Sequence, residues 1–528
     1  MDTAAATAAD GRSGPSPGTA TASDPGSAPA PASRLAALRA PRLDPYWTAG
    51  FFFLAFAVLS FWRYRTLSTI SWDLGIFEQA IRGYAHLQAP VVDLKGPGTN
   101  ILGDHFSPIL VLLAPFYRLL PSPLTLLTAQ AALFALSAIP VTRAAAHHLG
   151  RRRGLALGLA YGLSWGVQRA VDFDFHEIAF AVPLIAFALE AALRGRWNTA
   201  VCWAAPLVLV KEDLGVTAAA IGALCLIRTR RPGPLPLALV ALGITATALT
   251  LGVLIPAFNG SGSYDYWNKL GGHGGAGPAI PLDVALRTLL WTLLPTTGLL
   301  ALRSPLLLVA APTLGWRFLS HEPHYWGTDW HYSAVLMPVV FLALVDALPR
   351  AHASRRPWLR SYAHHLPAAV LAAALALTTT LPLARLTEAD TYRTPPSVTA
   401  AKRLLDRIPD GASVESDIRP LSHLTGRTRV YWTGDTRGLV PDYVAAQLRD
   451  GGTPAQLLSD AQARHPRARY VVVGVAGDVV VLQRLSADAE VVERRRPSRR
   501  GGFAFGGGPC GRSSALPARW VSPSAEGC

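Results

Sequence analysis

Long apolar segments alternate with short polar loops along most of the chain, and these loops are of two kinds. One kind is rich in arginine: HHLGRRRG (147–154), RGRW (194–197), RTRRPG (228–233) and PRAHASRRPWLR (349–360). The other is rich in Asp, Glu, His and Trp: SWDLGIFEQ (71–79), GDHFSP (103–108), DFDFHE (172–177), KED (211–213) and HEPHYWGTDWHY (321–332). Basic loops on one side are typical of a multi-pass membrane protein, whose cytoplasmic loops carry the excess of Arg and Lys. The pattern therefore predicts that the chemically active residues gather on the extracytoplasmic face.

The apolar segments predict a polytopic α-helical membrane domain over residues 46–386, with about eleven spans. We predict these spans at about 46–62, 124–146, 155–171, 178–193, 198–213, 214–227, 235–257, 284–301, 304–320, 332–348 and 366–386. The preceding residues, 1–45, have the Ala-, Pro-, Ser- and Gly-rich composition of a disordered tail. The arginines that end this tail predict that it is cytoplasmic.

The first loop, 63–122, is long and is predicted to be extracytoplasmic. Its segment 106–120 is apolar, but it is short for a span and is interrupted by Pro115. We predict an interfacial or re-entrant helix there, because a crossing would place every later arginine cluster outside. The Gly-rich loop 258–283 is predicted to lie on the same outer face.

After residue 387 the pattern changes to that of a small α/β domain, which we predict over 387–494. Helices are predicted at 398–408, 441–450 and 454–465; strands at 412–417 and 429–434; and a hairpin of 469–475 with 478–485. An odd number of spans places this domain outside the cell. The Arg-, Gly- and Ser-rich remainder, 495–528, is predicted to be disordered.

Composition supports a membrane protein and excludes a nucleic-acid-binding one. The 528 residues are 50% hydrophobic and 16% charged, with a mean hydropathy of +0.27. The net charge of +15 comes from loops and tails, not from one basic face, so it does not indicate nucleic-acid binding. Four of the 49 basic residues are lysines. This arginine preference, with the abundant Ala, Pro and Gly, suggests a GC-rich bacterial source and hence the bacterial plasma membrane. The four cysteines show no metal-binding spacing and no disulfide framework, although Cys510 and Cys528 could pair in an oxidising compartment.

Asp73 is the candidate catalytic residue, because a carboxylate at the membrane surface can act as a general base when burial raises its pKa. It is equally well interpreted as the cap or first-turn acid of a helix. Asp104 and His105 place a carboxylate beside an imidazole, although Asp104 also suits a helix cap. DFDFHE supplies His176 and Glu177 within a dense run of titratable residues, which favours a site.

Lys211 and Glu212 interrupt an apolar stretch in a chain where arginine is the default base. A compact ammonium group suits phosphate binding, and the alternative is an internal ion pair. The densest aromatic and histidine segment adds the candidate substrate-binding residues His324, Tyr325, Trp326 and His331. These histidines suit a phosphate, a metal or a carboxylate partner, whereas the aromatic residues also suit an ordinary membrane interface.

Several motifs together resemble the uncharacterised bacterial membrane family called domain of unknown function twenty seventy-nine. The matching segments are SWDLGIFEQA, GDHFSPILVLLAPFYRL, FDFHE, VKEDLG, HYWGTDWHYSA and IPDGASVESD…LSHLTGR. The architecture is also similar to that of the GT-C glycosyltransferases, such as protein O-mannosyltransferases and lipid A aminoarabinose transferases. That resemblance implies a base in the first outer loop, a soluble C-terminal domain and a polyprenyl-phosphate-linked sugar. By position Asp73 matches the base, although Leu74 follows it where many members have a second acid.

The leading hypothesis is therefore a GT-C-like glycosyltransferase, in which Asp73 deprotonates the acceptor and Lys211, His324 and His331 stabilise the departing phosphate. Aromatic residues such as Trp326 and Trp330 would stack on sugar. The alternative is a transporter or lipid-handling protein whose carboxylates and lysine form an ion site. No cofactor is required on the first hypothesis. A divalent metal is left open by a third, in which His176, Glu177, His324 and His331 form a metal site.

Overall fold

The computed structural model describes residues 41–70, 72–229, 233–270, 279–449 and 451–485. Residues 1–40 of the predicted tail 1–45 lie outside the described residues, as does the whole of the predicted tail 495–528. The α-helices up to the middle of the chain are α1 (Asp44–Arg65), α2 (Asp73–Ala85), α3 (Ala114–Leu119), α4 (Pro123–Leu149), α5 (Arg151–Gly162), α6 (Trp165–Asp172), α7 (Ala181–Leu193), α8 (Trp197–Ala204), α9 (Leu214–Thr229) and α10 (Pro234–Leu249). The next are α11 (Ile255–Phe258), α12 (Leu282–Thr297), α13 (Ala311–Leu319), α14 (Pro323–Trp326), α15 (Leu336–His352) and α16 (Pro357–Thr378).

Short 3₁₀ turns extend or connect many of these helices, because the apolar segments contain proline and end in polar loops. They are Pro41–Leu43, Asp93–Lys95, Ile101–Gly103, Pro108–Leu113, Glu177–Phe180, Ala205–Leu209, Asp265–Leu270, Leu300–Arg303, Pro305–Ala310, His331–Ser333, Pro382–Thr387 and Ala389–Tyr392. A π-helical turn, Thr250–Leu254, joins α10 to α11. Each predicted apolar segment is therefore helical over most of its length.

Three helical stretches in the described chain are long and apolar enough to cross a membrane: Pro41–Arg65, Pro123–Leu149 and Pro234–Phe258. The pair Pro323–Ser333 and Leu336–His352 is bent by 69° and adds a fourth if it forms one broken span. The count of about eleven spans stays a prediction. The apolar segment predicted to be interfacial is a 3₁₀ turn followed by α3, and it is too short to pass the same test.

Helices α9 and α10 pack with their backbones in close contact. A Cβ atom on Gly243 would lie 2.2 Å from the carbonyl oxygen of Gly215, so only glycine fits the crossing. Small residues at such crossings let membrane helices approach closely.

We expect Gly243→Ala to destabilise the protein by about 1–3 kcal/mol, because the two helices must separate to admit the methyl group. The unfolding temperature in detergent measures this loss. Gly252→Ala is the matched control on the same predicted span, since its Cβ would meet nothing within 4 Å. Equal unfolding temperatures for the two variants would contradict the tight crossing.

The C-terminal domain contains helices α17 (Pro396–Leu405), α18 (Ile418–Leu421) and α19 (Pro454–Arg464) and a five-stranded sheet. The strands are β1 (Ser413–Ser416), β2 (Arg429–Trp432), β3 (Tyr443–Gln447), β4 (Tyr470–Ala476) and β5 (Val479–Arg484), in the order β2-β1-β3-β5-β4. Strand β1 pairs in parallel with β2 and β3, whereas β5 is antiparallel to both β3 and β4.

The prediction of a helix at 441–450 is wrong, because Tyr443–Gln447 forms the central strand β3. Its residues Val444, Ala445 and Ala446 are buried, and β1 and β5 supply hydrogen-bond partners on both sides. Tertiary pairing therefore outweighs the helical preference of the alanines. The other predicted strands and helices of the domain are observed, including the β4–β5 hairpin.

Helix α2 lies between the two hydrophobic cores and packs against both. Leu74, Phe77 and Ile81 recur at helical spacing and belong to the core of the membrane domain. Ile76 and Ala80 lie on another face and belong to the core of the C-terminal domain. Opposite faces of one helix therefore join the two domains, and the first residue of that helix is Asp73.

Candidate active site

A cavity of about 270 Å³ lies where the polar loops of the predicted outer face meet. Its polar lining includes eight of the predicted site residues: Asp73, Asp104, His105, His176, Lys211, Glu212, Tyr325 and His331. These residues come from five separate loops or helix ends, which the helical bundle brings to one place. The structure thus brings these eight residues together in one cavity.

Asp73 lies on the cavity wall in the first turn of α2, beside two stacked imidazole rings. Its Oδ2 atom is 3.8 Å from Nε2 of His176, and the ring centroids of His176 and His331 are also 3.8 Å apart. Burial raises the pKa of the Asp73 carboxyl above its ordinary value, and His176 opposes this shift. A carboxyl group with a raised pKa is better suited to accept a proton near neutral pH. Asp73 also lies in the first turn of a helix, as the alternative interpretation of a first-turn acid predicts.

His176 is held in place by the turn that follows α6. Asp174 adopts a left-handed backbone with φ of +70°, and its carboxylate accepts a hydrogen bond from the amide of Ile70 at 2.8 Å. Arg63, which is buried at the end of α1, forms ion pairs with Asp172 at 3.1 Å and with Asp174 at 3.4 Å. These two aspartates therefore stabilise the turn and do not face the cavity.

Glu177 lies behind the cavity lining and contacts both the ammonium group of Lys211 and the imidazole of His176. It is fully buried, with Oε1 3.2 Å from Nζ of Lys211 and Oε2 2.8 Å from Nδ1 of His176. Lys211 enters the cavity from the break between the 3₁₀ turn after α8 and the start of α9. The internal ion pair and the cavity position are therefore both observed for Lys211.

Two further pairs line the same cavity. His105 Nδ1 is 2.7 Å from Oε1 of Glu212, which also accepts a hydrogen bond from the Tyr264 hydroxyl at 3.0 Å. Lys95 Nζ is 3.2 Å from Oδ2 of Asp104. Burial acts to raise the pKa of Asp104, but Lys95 and His105 outweigh it and the pKa is lowered. Asp104 is therefore an ionised partner of Lys95.

Several cavity residues were not among the predicted site residues: Lys95, Tyr264, Tyr266 and Lys269. Lys269 Nζ lies 4.5 Å from the ring centroid of Tyr266, a cation–π distance. Three of the four lysines in the chain thus line one cavity. The rarity of lysine is a signal that could have found all three, although it was applied to Lys211 alone.

Other predicted residues lie away from the cavity lining. His324 is bound to Glu322 by a 2.5 Å contact, and Trp326 donates to the carbonyl of Ser320 at 2.7 Å in the protein interior. Trp330 packs against Phe173. In the HEPHYWGTDWHY segment it is Tyr325, His331 and Tyr332 that face the cavity.

Asp73, His176 and His331 also form a group in the described chain whose donor atoms lie within 4.8 Å of one another, close enough for one metal ion. His331 is only 2% exposed, and among the described residues neither of its ring nitrogens meets a hydrogen-bond partner. Of the four residues of the predicted metal site, this group contains His176 and His331, and metal binding stays a prediction.

The fold is similar to that of two solved structures of ArnT from Cupriavidus metallidurans. The structure of ArnT bound to undecaprenyl phosphate has a TM-score of 0.52 and 13% sequence identity, covering 83% of this chain and 98% of that one. The apo structure of ArnT has the same TM-score and identity, covering 81% of this chain and 96% of that one. At 13% identity this likeness shows the fold alone, and it agrees with the architecture predicted from the sequence.

No curated protein matches this sequence. The sequence profile of the family described as "Predicted membrane protein (DUF2079)" matches residues 63–470. This match covers more than half of the chain and includes α2, every polar cavity residue and most of the C-terminal domain. The chain therefore belongs to the membrane-protein family DUF2079.

Proposed function

We propose that this protein is a GT-C-like glycosyltransferase that moves a sugar from a polyprenyl-phosphate donor to an acceptor on the extracytoplasmic face. The observation that carries the proposal is the cavity whose lining combines the buried carboxyl group of Asp73 with three lysines. The likeness of the fold to ArnT, and the undecaprenyl phosphate bound to that protein, support the choice of donor.

The cavity has an apolar side that suits a prenyl chain. Val216 of α9, Leu251 of the π-helical turn, and Pro312 and Trp316 of α13 line it. These residues belong to apolar helical segments, so on this proposal this side of the cavity would adjoin lipid. A prenyl chain lying along these helices would place its phosphate near the lysines.

In the proposed reaction the acceptor hydroxyl oxygen attacks the anomeric carbon of the donor, and Asp73 takes the hydroxyl proton. The bond between that carbon and the phosphate oxygen breaks, and the phosphate leaves with the electron pair. Lys95, Lys211 and Lys269 stabilise the added negative charge, as fixed cations do in other phosphate sites. The reaction uses groups of the chain and requires no cofactor.

A deletion strain tests the donor and the reaction together. We expect it to accumulate a polyprenyl-phosphate-linked sugar relative to a strain that carries the gene on a plasmid, because the consuming step is lost. Mass spectrometry of the extracted lipids measures the accumulation and identifies the sugar. Identical lipid profiles in the two strains would contradict the proposed reaction.

The arginine pattern predicts that the C-terminal domain lies outside the cell and that the Arg-rich loops lie inside. In a chain whose native cysteines are replaced, Leu439→Cys should react with a membrane-impermeant thiol reagent in intact cells, since Leu439 is exposed. Arg152→Cys, at the exposed Arg-rich start of α5, is the control and should react only after permeabilisation. The reverse labelling pattern would invert the topology and remove the outer-face site.

A further inference from the structure

The carboxyl group of Glu78 joins three parts of the molecule behind the candidate site. Glu78 is fully buried on α2. Its Oε1 atom accepts a hydrogen bond of 2.9 Å from the hydroxyl of Tyr117 on α3, and Oε2 accepts one from the hydroxyl of Thr425 in the C-terminal domain. A Cβ atom on Gly426 would lie 3.1 Å from Oε1, so glycine allows this close approach.

Other polar contacts of α2 strengthen the same joint. Arg82 donates to the carbonyls of Thr425 and Thr428 at 2.6 and 2.9 Å. Gln79 donates to the carbonyl of Val430 at 2.9 Å. One side of this 13-residue helix is therefore bound to the C-terminal domain, while its first residue lines the cavity. A rigid helix can carry a displacement from one side of the molecule to the other.

We propose that Glu78 is a positioning residue, which fastens the C-terminal domain to α2 and thereby holds Asp73 at the cavity wall. The importance of Asp73 rests on the proposed function, but the joint at Glu78 does not. Glu78 touches neither the cavity nor a substrate, so it acts through the helix.

The joint should weaken as the pH rises towards neutrality. Burial raises the pKa of Glu78 from its ordinary 4.5 to about 7, against the opposing hydrogen bonds from Thr425 and Tyr117. The charged and titratable groups that face it are Arg82 on α2, Tyr117 on α3 and Tyr64 on α1. When the domain separates, Glu78 meets water and its pKa returns to the ordinary value. Between pH 4.5 and about pH 7, Glu78 is protonated in the joined state and ionised in the separated state, so a rise in pH favours separation. Above about pH 7 Glu78 is ionised in both states, and pH no longer shifts this equilibrium.

Thiol labelling at a buried position of the joint measures its opening. Ser422 is 1% exposed, and its hydroxyl is 3.1 Å from that of Thr69. In full-length S422C protein, modification of residue 422 by a maleimide is followed by peptide mass spectrometry, with Glu78 and with E78Q. We expect the labelling rate with Glu78, divided by the rate with E78Q, to rise about tenfold between about pH 6 and about pH 8. Gln does not titrate, and the ionisation of the thiol at residue 422 affects both rates equally and so cancels in this ratio. A constant ratio would refute the joint.

Further variants keep the test decisive if E78Q folds poorly. T425V removes one hydroxyl donor to Glu78, so it should raise labelling at every pH while keeping the pH dependence. E388Q changes an exposed glutamate and should behave as the parent. For positioning, opening of the joint should make sugar transfer by the parent fall as the pH rises towards about 7, and this fall should be absent in E78Q. A pH profile of E78Q that coincides with the parent's would overturn that role. Labelling needs no substrate, so it stands even if the proposed function fails.

Discussion

Replacing Asp73 by Asn is expected to lower sugar transfer by about 10²–10⁴-fold, the usual contribution of a general base. Asparagine has the same shape as aspartate but cannot take the acceptor's proton. Its effect on folding should be small, because Asp73 is a first-turn residue of α2 and a lost interaction with the helix dipole costs about 0.3–1 kcal/mol. Transfer to a suitable acceptor, measured with the lipid-linked sugar identified in the deletion strain, checks the first expectation.

Thermal unfolding of the Asp73→Asn protein checks the second expectation, that the substitution has little effect on folding. Asp390→Asn makes the same chemical change at a carboxylate whose side chain is 89% exposed, so it serves as the matched control and should transfer at the parent rate. An Asp73→Asn protein that also transfers at the parent rate would remove the central residue of the proposal. The transporter or lipid-handling hypothesis would then be the better explanation of the cavity.

The convergence of the site could be predicted from sequence because membrane topology supplies information that a soluble chain lacks. Loops that share one side of a membrane are confined to one surface, so the separation of acidic and basic loops already groups Asp73, His105, His176 and Lys211. The bundle then needs only to bring neighbouring helix ends together. That is why residues more than a hundred positions apart in the chain were expected to meet.

The contribution of each residue within a loop could not be predicted in this way. The segment HEPHYWGTDWHY offers three histidines, but His324 pairs with Glu322 whereas His331 begins a 3₁₀ turn and faces the cavity. His324 lies on the short helix α14, whereas His331 lies on the separate 3₁₀ turn that follows it, and the sequence pattern does not specify this break. Tyr264 and Tyr266 were missed for a related reason: they lie in a Gly-rich loop, where composition predicts exposure and gives no direction to a side chain.

The fold shows a similar division between what a segment determines and what its neighbours determine. The apolar segments became helices because a long apolar run in lipid must satisfy its own backbone hydrogen bonds. Tyr443–Gln447 became a strand because two other strands flank it. A helix beginning near Asp73 was one of the two interpretations of that residue, but the second apolar face of α2 is buried only by the C-terminal domain. The role proposed for Glu78 follows from that second face.

Removing the ammonium group of Lys211 is expected to have two separable effects. Its partner Glu177 is fully buried and 3.2 Å away, so Lys211→Met leaves an unpaired buried carboxylate. Breaking such a pair typically costs about 3–5 kcal/mol, and the unfolding temperature should fall accordingly. The Kd for the donor should also rise by about 10–100-fold, the factor that corresponds to the loss of one hydrogen bond to a charged group.

A double variant separates these effects. Lys211→Met with Glu177→Gln removes both charges, so the unfolding temperature should recover most of the loss while binding of polyprenyl phosphate stays weak. Lys402→Met is the matched control: Lys402 is the fourth lysine of the chain, it lies on α17, and it does not line the cavity. If the double variant binds polyprenyl phosphate as tightly as the parent, the role of Lys211 is limited to its structural ion pair with Glu177. The phosphate would then have to be bound by Lys95 and Lys269, which hold the other two ammonium groups of the cavity.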